Sequence, residues 1–331
     1  MTVRTGEEAF MENILITGGA GFIGSHLAER SLEKGYEVTV IDNFDPFYDP
    51  NVKRQNISKA SMDPRYQLLE GDIRDEEFIH FVFGRHTPDI VVHLAARAGV
   101  RPSIDHPVIY NDVNVRGTAI ILEACHKHGV KRFIFGSSSS VYGNAEKVPF
   151  SEDDNVDYPV SPYAATKKAG ELLCYTYHHL YGMAIHCLRF FTVFGPRQRP
   201  EMAIHKFTRM IDRDEELTQY GNGKSSRDYT YIEDIIDGVM ASIENVSGYE
   251  IINLGESKTT SITELIKKLE ALLGKKARVR VLPHQPGDVH TTCADIRKAA
   301  RILGYAPKFP VDAGLKVFVE WYKDTGQRTF R

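Results

Sequence analysis

The stretch NILITGGAGFIGSHL (13–27) decides the fold of this chain. A short apolar run leads into Gly18, Gly21 and Gly24, and a helix-period segment follows the glycines. Glycines at this spacing let a diphosphate approach the free N–H groups at a helix N-terminus. Glycines that only form a turn would look the same. Asp42 supports the dinucleotide interpretation. It ends the second apolar run, 18 residues after Gly24, where an acid can bind the ribose of a dinucleotide.

The acid at position 42 also bears on the cofactor. A carboxylate there can accept hydrogen bonds from an adenosine ribose and would repel a 2′-phosphate, so the sequence favours NAD over NADP. Asp72, at the end of a later apolar run, fits an adenine contact or a turn ahead of a helix equally well.

Short β-branched runs alternate with helix-period segments through the first half of the chain. This alternation predicts an α/β fold with a doubly wound parallel sheet of the Rossmann type. We expect the NAD-binding domain at 11–194 and a smaller C-terminal α/β substrate-binding lobe at 195–331, with an approximate boundary across which segments can return to the first domain. The predicted strands are 13–18, 37–42, 66–72, 89–95, 132–138 and 184–190, and the main predicted helices are near 23–34, 108–128 and 162–181.

Composition narrows the class of ligand. The chain has 331 residues, a net charge of −3 and no block of like charges, so neither nucleic acid nor an anionic membrane is expected as a partner. No segment approaches the roughly 20 apolar residues of a membrane span. We therefore expect a cytoplasmic protein that acts on a small molecule. The cysteines form no CxxC pair and the histidines have no metal-like partners, so no metal site is expected.

A tyrosine and a lysine share a helix face in SPYAATKKAGELL (161–173). Tyr163 and Lys167 are four residues apart, and a nearby cation can lower the pKa of a phenol toward a useful range. Such a pair alone is more often an ordinary solvated helix face. Four serines at 137–140 follow the preceding apolar run and are either a polar turn or part of the same chemistry.

Together, the glycine loop, the serine loop and the Tyr–Lys pair resemble the extended short-chain dehydrogenase/reductase family. Within that family, the chain resembles the NAD-dependent epimerases and dehydratases of nucleotide sugars from about residue 13 onward. The resemblance implies that Tyr163 is the acid/base, that Lys167 assists it and holds the nicotinamide ribose, and that Ser138 contacts the sugar hydroxyl. It implies a cofactor site for NAD formed by Gly18, Gly21, Phe22, Ile23, Gly24, Asp42, Asn43, Asp72, Ile73, Leu94, Ala95, Ala96 and Asn114, together with Tyr163 and Lys167.

The residue at position 140 distinguishes epimerisation from dehydration and decarboxylation in this family. Relatives that dehydrate or decarboxylate nucleotide sugars carry a carboxylate two residues beyond the catalytic hydroxyl, whereas this chain has Ser140. The resemblance therefore implies a UDP-sugar 4-epimerase. One alternative is an epimerase that acts on UDP-glucose or UDP-N-acetylglucosamine. Less favoured alternatives are a UDP-glucuronate decarboxylase, a nucleotide-sugar dehydratase or a regulator that only binds NAD.

The segment LRFFTVFGPRQRPEMA (188–203) resembles UDP-glucuronate 4-epimerases, in which a threonine stands where UDP-galactose 4-epimerases carry an asparagine. The resemblance implies that Thr192 and Arg199 meet the sugar carboxylate, although Arg97 replaces the glutamine usual in this subgroup. We expect hydroxyls of Ser139, Ser140 and Thr192 to hold that carboxylate in an orientation that resists loss of carbon dioxide.

The remaining contacts implied by the resemblance are to the uridine diphosphate and to a second subunit. Arg227 is expected at the phosphates and Asp288 near the uridine ribose. An arginine or aspartate in a loop is otherwise more often a plain surface residue. The family also implies a homodimer formed through the helices near 108–128 and 162–181.

Overall fold

The apolar runs of the first half form a parallel sheet in the computed structural model, which describes residues 11–283 and 290–325. The sheet has seven strands in the order β3–β2–β1–β4–β5–β6–β11, and every neighbouring pair is parallel. The order reverses between β1 and β4, which confirms the doubly wound Rossmann arrangement. These strands are β1 (Asn13–Thr17), β2 (Glu37–Asp42), β3 (Tyr66–Glu70), β4 (Ile90–His93), β5 (Arg132–Ser138), β6 (Ala184–Phe190) and β11 (Tyr249–Leu254).

The other strands form three short pairs beyond β6. β7 pairs with β10 in parallel, β9 with β12 in antiparallel, and β8 with β13 in parallel. Their bounds are β7 (Thr192–Phe194), β8 (Glu216–Tyr220), β9 (Ser226–Arg227), β10 (Tyr229–Tyr231), β12 (Thr260–Ser261) and β13 (Arg278–Leu282).

Twelve α-helices connect the strands within the described residues. They are α1 (Phe22–Glu33), α2 (Pro50–Asn56), α3 (Glu76–His86), α4 (Val100–Asp105), α5 (Pro107–Asn111), α6 (Gly117–Lys127), α7 (Pro162–Tyr181), α8 (Ala203–Asp212), α9 (Ile232–Asn245), α10 (Ile262–Leu273), α11 (Arg297–Leu303) and α12 (Val311–Asp324). None of these helices is long and apolar enough to cross a membrane.

Side chains of the central strand β1 alternate between two apolar layers, as the pleat requires. Ile14 and Ile16 face the layer that contains α1 and α9, while Leu15 faces the layer that contains α3, α6 and α7. All three side chains are fully buried. Burial on both faces explains why these strands are continuous apolar runs in the sequence.

The predicted helix near 108–128 is interrupted. Pro107 begins α5, a π-helical turn follows at Asp112–Arg116, and α6 continues the helix from Gly117. A π turn inserts an extra residue into the helical ladder and often marks a functional position. Here the turn contains Asn114, one of the predicted cofactor residues.

The division expected near residue 194 does not divide the sheet. β11 lies after that position and pairs with β6 along its whole length. Moreover, the apolar layer against α1 continues into α8, α10 and α12 of the C-terminal part. One apolar layer therefore supports both parts of the chain. The two-domain assignment itself stays a prediction.

Candidate active site

The loop between β1 and α1 forms a backbone cradle that no larger residues could form. Gly18 has φ +71°, and a Cβ there would lie 2.8 Å from the backbone of Ala95. A Cβ on Gly24 would lie 2.3 Å from the carbonyl oxygen of Gly18. The loop therefore packs against its own helix and against the loop after β4. This geometry fits a diphosphate at the N-terminus of α1.

Asp42 ends β2 beside that cradle. Its carboxylate accepts hydrogen bonds from the backbone N–H groups of Ala20, at 3.1 Å, and Phe44, at 2.9 Å. The Lys53 ammonium lies 3.7 Å away. A carboxylate offers about four acceptor sites, so these contacts orient Asp42 and leave capacity for a ribose hydroxyl.

Asp72 lies next to the same cavity, in a cluster with two partners. The amide of Asn43 donates to it at 2.9 Å, and Arg74 forms an ion pair with it at 2.8 Å. Hydrogen bonds from Arg74 lower the pKa of the Asp72 carboxyl to about 2. Asp72 is therefore ionised at neutral pH, and it holds the side chain of Asn43, which also lines the cavity.

Tyr163 and Lys167 enter the cavity from α7, whose first turn is capped by Ser161. Burial raises the pKa of the Tyr163 phenol, whereas a hydrogen bond with Ser138 and the charge of Arg199 oppose that rise. Burial lowers the pKa of Lys167 to about 8, and its ammonium donates to the carbonyl of Gly136 at 2.6 Å. Arg199 therefore acts electrostatically on the phenol, a role that sequence reasoning had assigned to Lys167 alone.

One turn further along α7, Glu171 contacts the same end of β5. Its carboxylate accepts a hydrogen bond from Ser137 at 2.7 Å and pairs with Arg189 at 2.8 Å and 2.9 Å. Both partners of this ion pair are almost fully buried. Sequence reasoning missed Glu171 because a glutamate on a helix is usually exposed. Its position eight residues after Tyr163 was the available signal.

The serine loop has distinct environments for its hydroxyls. Ser138 accepts a hydrogen bond from the backbone N–H of Ser140 at 3.2 Å. The Ser140 hydroxyl is buried at the cavity wall and has no hydrogen-bond partner among the described residues. An unpaired buried hydroxyl is costly, so Ser140 is suited to donate to a ligand.

Thr192 and Arg199 line the cavity from the segment that follows β6. Thr192 starts β7, and its backbone N–H donates to the carbonyl of Asp228 at 3.0 Å. Arg199 forms an ion pair with Glu201 at 3.2 Å and lies 5.9 Å from the Phe47 ring centroid. Its guanidinium therefore faces the cavity with one carboxylate as counter-charge.

A single cavity of about 480 Å³ brings the predicted residues together. It also takes in residues that sequence reasoning did not assign to the site, notably Asp45, Phe47, Tyr48, Arg97 and Thr292. The predicted residues lining it are Gly18, Gly21, Phe22, Ile23, Gly24, Asp42, Asn43, Asp72, Ile73, Leu94, Ala95, Ala96, Ser138, Ser139, Ser140, Tyr163, Lys167, Thr192, Arg199 and Arg227.

Two predicted residues are not placed in the cavity. Asn114 is buried beside it, where its side chain accepts from the N–H of Arg97 at 2.7 Å and donates to the carbonyl of Arg97 at 2.9 Å. These bonds fix the backbone of Arg97, and the predicted cofactor contact of Asn114 stays a prediction. Asp288 lies outside the described residues. Among the residues that the structure does describe, no cluster of His, Cys, Asp or Glu could hold a metal ion.

Comparisons with known proteins agree with this geometry. A family model described as GDP-mannose 4,6 dehydratase matches residues 15–318. A UDP-glucuronate 4-epimerase of Thermodesulfobacterium geofontis is 43% identical, over 94% of this chain and 96% of its own length. UDP-glucuronate 4-epimerase 1 of Arabidopsis thaliana is 41% identical, over 94% of this chain and 76% of its own length.

Solved structures give the same picture. The UDP-glucuronic acid 4-epimerase of Bacillus cereus, in complex with UDP-glucuronic acid and NAD, superposes with a TM-score of 0.89 at 39% identity, over 95% of this chain and 99% of that one. The UDP-glucose 4-epimerase of Thermotoga maritima, with UDP-glucose, gives a TM-score of 0.87 at 34% identity, over 95% and 99%.

Proposed function

This chain belongs to the family described as GDP-mannose 4,6 dehydratase. Because its similar relatives include UDP-glucuronate 4-epimerases, we propose that it is an NAD-dependent 4-epimerase that interconverts UDP-glucuronate and UDP-galacturonate. One observation carries the proposal. A single cavity links the glycine loop, through Tyr163, to Ser140, Thr192 and Arg199. The cavity thus offers a dinucleotide site, an acid/base and an anion-binding end in one space.

The reaction follows from what these groups can do. NAD, when bound, supplies a two-electron acceptor that takes a hydride from C4 of the sugar and later returns it. Tyr163 acts in its phenolate form, takes the proton of the C4 hydroxyl at its phenolic oxygen and becomes a phenol, and Ser138 shares a hydrogen bond with that oxygen. We propose that the 4-keto sugar then rotates, so that the hydride returns to the opposite face of C4 while the Tyr163 phenol returns the proton to the C4 oxygen.

We propose that the residues around the sugar prevent dehydration and decarboxylation after oxidation. Ser140 replaces the carboxylate that would assist elimination, so that base is absent from this position. We propose that Ser140, Thr192 and Arg199 bind the sugar carboxylate. The free Ser140 hydroxyl and the Arg199 charge at the cavity wall support this assignment.

We further propose that Arg227 binds the diphosphate and Asp288 the uridine ribose. Arg227 lines the cavity, and its guanidinium donates to the carbonyl of Ser226 at 2.9 Å. The assignment of Asp288 rests on the resemblance of the segment QPGDV (285–289) alone.

Two properties of the whole protein are also proposals. We propose a homodimer, supported by apolar side chains of α7 that are more than half exposed, namely Leu172, Tyr175 and Leu180. We also propose that the protein works in the cytoplasm. All four cysteines are free thiols, as expected in a reducing compartment.

Purified protein supplied with NAD tests the function directly. UDP-glucuronate, UDP-glucose and UDP-N-acetylglucosamine are offered separately, and products are followed by NMR. We expect UDP-galacturonate from UDP-glucuronate and little turnover of the neutral sugars. A pentose product with no UDP-galacturonate would refute the epimerase assignment, and efficient turnover of UDP-glucose would refute the uronate specificity.

Tyr163→Phe tests the role of the phenol. Turnover should fall at least about 100-fold because the variant cannot take the hydroxyl proton, while bound NAD should remain. Tyr158→Phe, at an exposed tyrosine that does not line the cavity, is the matched control. A Tyr163→Phe variant with near-normal turnover would exclude Tyr163 as the acid/base.

A further inference from the structure

Arg97 and Asp45 join two loops that are far apart in sequence. The Arg97 guanidinium lies 3.2 Å from one carboxylate oxygen of Asp45 and 3.3 Å from the other. Their side chains are 22% and 30% exposed, so the pair is partly shielded from water. Both residues line the cavity.

The strand order places the Arg97–Asp45 ion pair across the carboxyl end of β1. Arg97 follows β4 and Asp45 follows β2, and β1 lies between those two strands in the sheet. The carboxyl end of β1 carries the glycine loop. A contact between the loops after β4 and β2 therefore passes over the groove in front of that loop, where a dinucleotide diphosphate binds.

The surroundings of Arg97 hold its side chain in that position. Asn114 binds both backbone groups of Arg97, at 2.7 Å and 2.9 Å. The guanidinium lies 5.5 Å from the ring centroid of Phe47, another residue of the loop after β2. The Nε atom of Arg97 is buried without a hydrogen-bond partner among the described residues. A charged donor is thus left for an anionic ligand.

We propose that Arg97 and Asp45 form a clasp over the diphosphate of the bound nicotinamide dinucleotide and slow its dissociation. Arg97 supplies a charge-assisted hydrogen bond to the diphosphate, and Asp45 holds the guanidinium above it. This inference rests on the proposed use of NAD. An enzyme that reduces and reoxidises the same cofactor molecule in each turnover benefits from keeping it bound.

The test measures NAD dissociation without any sugar. Protein loaded with NAD is mixed with excess fluorescent etheno-NAD, and the rate of exchange is recorded. In Arg97→Gln, which restores the glutamine usual in the subgroup, exchange should be about tenfold faster because a charged hydrogen bond is lost. Asp45→Asn should also speed exchange, by about threefold, because it releases one end of the clasp.

The double variant separates a clasp from two independent contacts. Arg97→Gln with Asp45→Asn should exchange NAD no faster than Arg97→Gln alone, since each change already opens the same pair. Additive effects, or an unchanged rate in Arg97→Gln, would overturn the proposal. If Asp45→Asn instead slowed exchange, Arg97 would act on the diphosphate without help from Asp45, and the clasp would likewise be refuted.

Arg54→Gln is the matched control. Arg54 also pairs with an acid, Glu70 at 3.1 Å, and lies 4.1 Å from a phenylalanine ring centroid, but it does not line the cavity. Its exchange rate should equal that of the wild type. Wild-type protein that binds no NAD at all would refute the proposed function as well. Wild-type and Arg97→Gln proteins that retain NAD equally would refute only the clasp.

Discussion

Ser140 is the side chain on which the proposed choice between reactions depends. The resemblance places it where dehydrating and decarboxylating relatives carry a carboxylate, and its hydroxyl lies at the cavity wall without a hydrogen-bond partner among the described residues. The 4-keto form of a uronate is a β-keto acid, which loses carbon dioxide when its carboxylate turns perpendicular to the carbonyl plane. Restraint of that carboxylate is therefore a requirement of the proposed reaction.

Without this restraint on the carboxylate, a fraction of the turnovers should end in decarboxylation instead of epimerisation. In Ser140→Ala with Thr192→Ala, the carboxylate loses two hydrogen-bond donors, so we expect several-fold more pentose product than in the wild type, measured by NMR. Addition of Tyr163→Phe should abolish this pentose, because decarboxylation requires prior oxidation at C4. If the double variant released no more pentose than the wild type, the hydroxyls would not restrain the carboxylate.

At the scale of elements, α7 aligns three side chains with the end of β5. Residues 163, 167 and 171 lie one turn apart on one helix face. Tyr163 interacts with Ser138, Lys167 donates to Gly136, and Glu171 accepts from Ser137. The helix is thereby held in register with the serine loop, which sets the geometry between the phenol and the Ser138 hydroxyl.

The Glu171 carboxylate should also affect the pH profile. Burial lowers the pKa of Lys167 to about 8, and the charge of the Glu171 carboxylate counteracts this fall. Loss of the Glu171 charge therefore lowers the pKa of Lys167 further. Glu171→Gln with Arg189→Gln removes the buried ion pair without leaving an isolated charge. The alkaline limb of kcat should therefore move to lower pH.

Ser137→Ala is the comparison for that experiment. It removes the hydrogen bond to Glu171 and retains the charge, so kcat should fall while the alkaline limb stays in place. Both profiles are measured by initial rates between pH 6 and 10. If the alkaline limb of kcat stayed at the wild-type pH in the Glu171→Gln, Arg189→Gln variant, the hydrogen bonds of Glu171 would have only a structural role.

The whole molecule should lose stability on mild acidification because it buries a neutral histidine below the cofactor site. His93 hydrogen-bonds Thr17 at 2.7 Å and Thr118 at 3.0 Å, and burial lowers its pKa to about 3. Below pH 6.5 the unfolded chain binds a proton that the folded chain excludes. The free energy of unfolding therefore falls by up to about 1.4 kcal/mol per pH unit from this group, between pH 6.5 and about 3.

Urea unfolding between pH 7 and pH 5 measures this dependence. His93→Gln should be less stable than the wild type at pH 7 and should show a shallower decline with falling pH. Burial also lowers the pKa of His26 to about 4, so His26→Gln should change the slope in the same direction. Parallel declines in wild type and His93→Gln would show that His93 does not govern the acid sensitivity.

The exposed apolar face of α7 is the proposed interface of the homodimer. If it forms the dimer interface, Leu172→Arg with Tyr175→Asp should yield a monomer in light scattering coupled to size exclusion, because charges would be buried at the contact. Met62→Arg is the control, since Met62 is exposed elsewhere, at 78%. A variant that stays dimeric would exclude this face as the interface.

Much of the fold follows from local sequence patterns. Continuous apolar runs predict strands buried on both faces, and the observed β1, β2, β5 and β6 lie within a residue of their predicted bounds. β3 ends at Glu70, before the predicted 72, and a turn closed by the bond from the Asp75 N–H to the Asp72 carbonyl leads into α3. The glycine loop, Tyr163 and Lys167 were identifiable because each depends on spacings within a few residues along the chain.

Contacts between distant segments were decided only by the tertiary structure. The pairing of Arg97 with Asp45, of Glu171 with Arg189, and of β11 with β6 joins residues that no local pattern relates. The same is true of Arg199, whose charge reaches Tyr163 only when the two parts of the chain share a cavity. Local sequence determined the strands, the helices and the chemistry available, because backbone preferences and side-chain periodicity act over a few residues. The tertiary structure decided which charges meet, because electrostatic partners are set by strand order and packing rather than by separation along the chain.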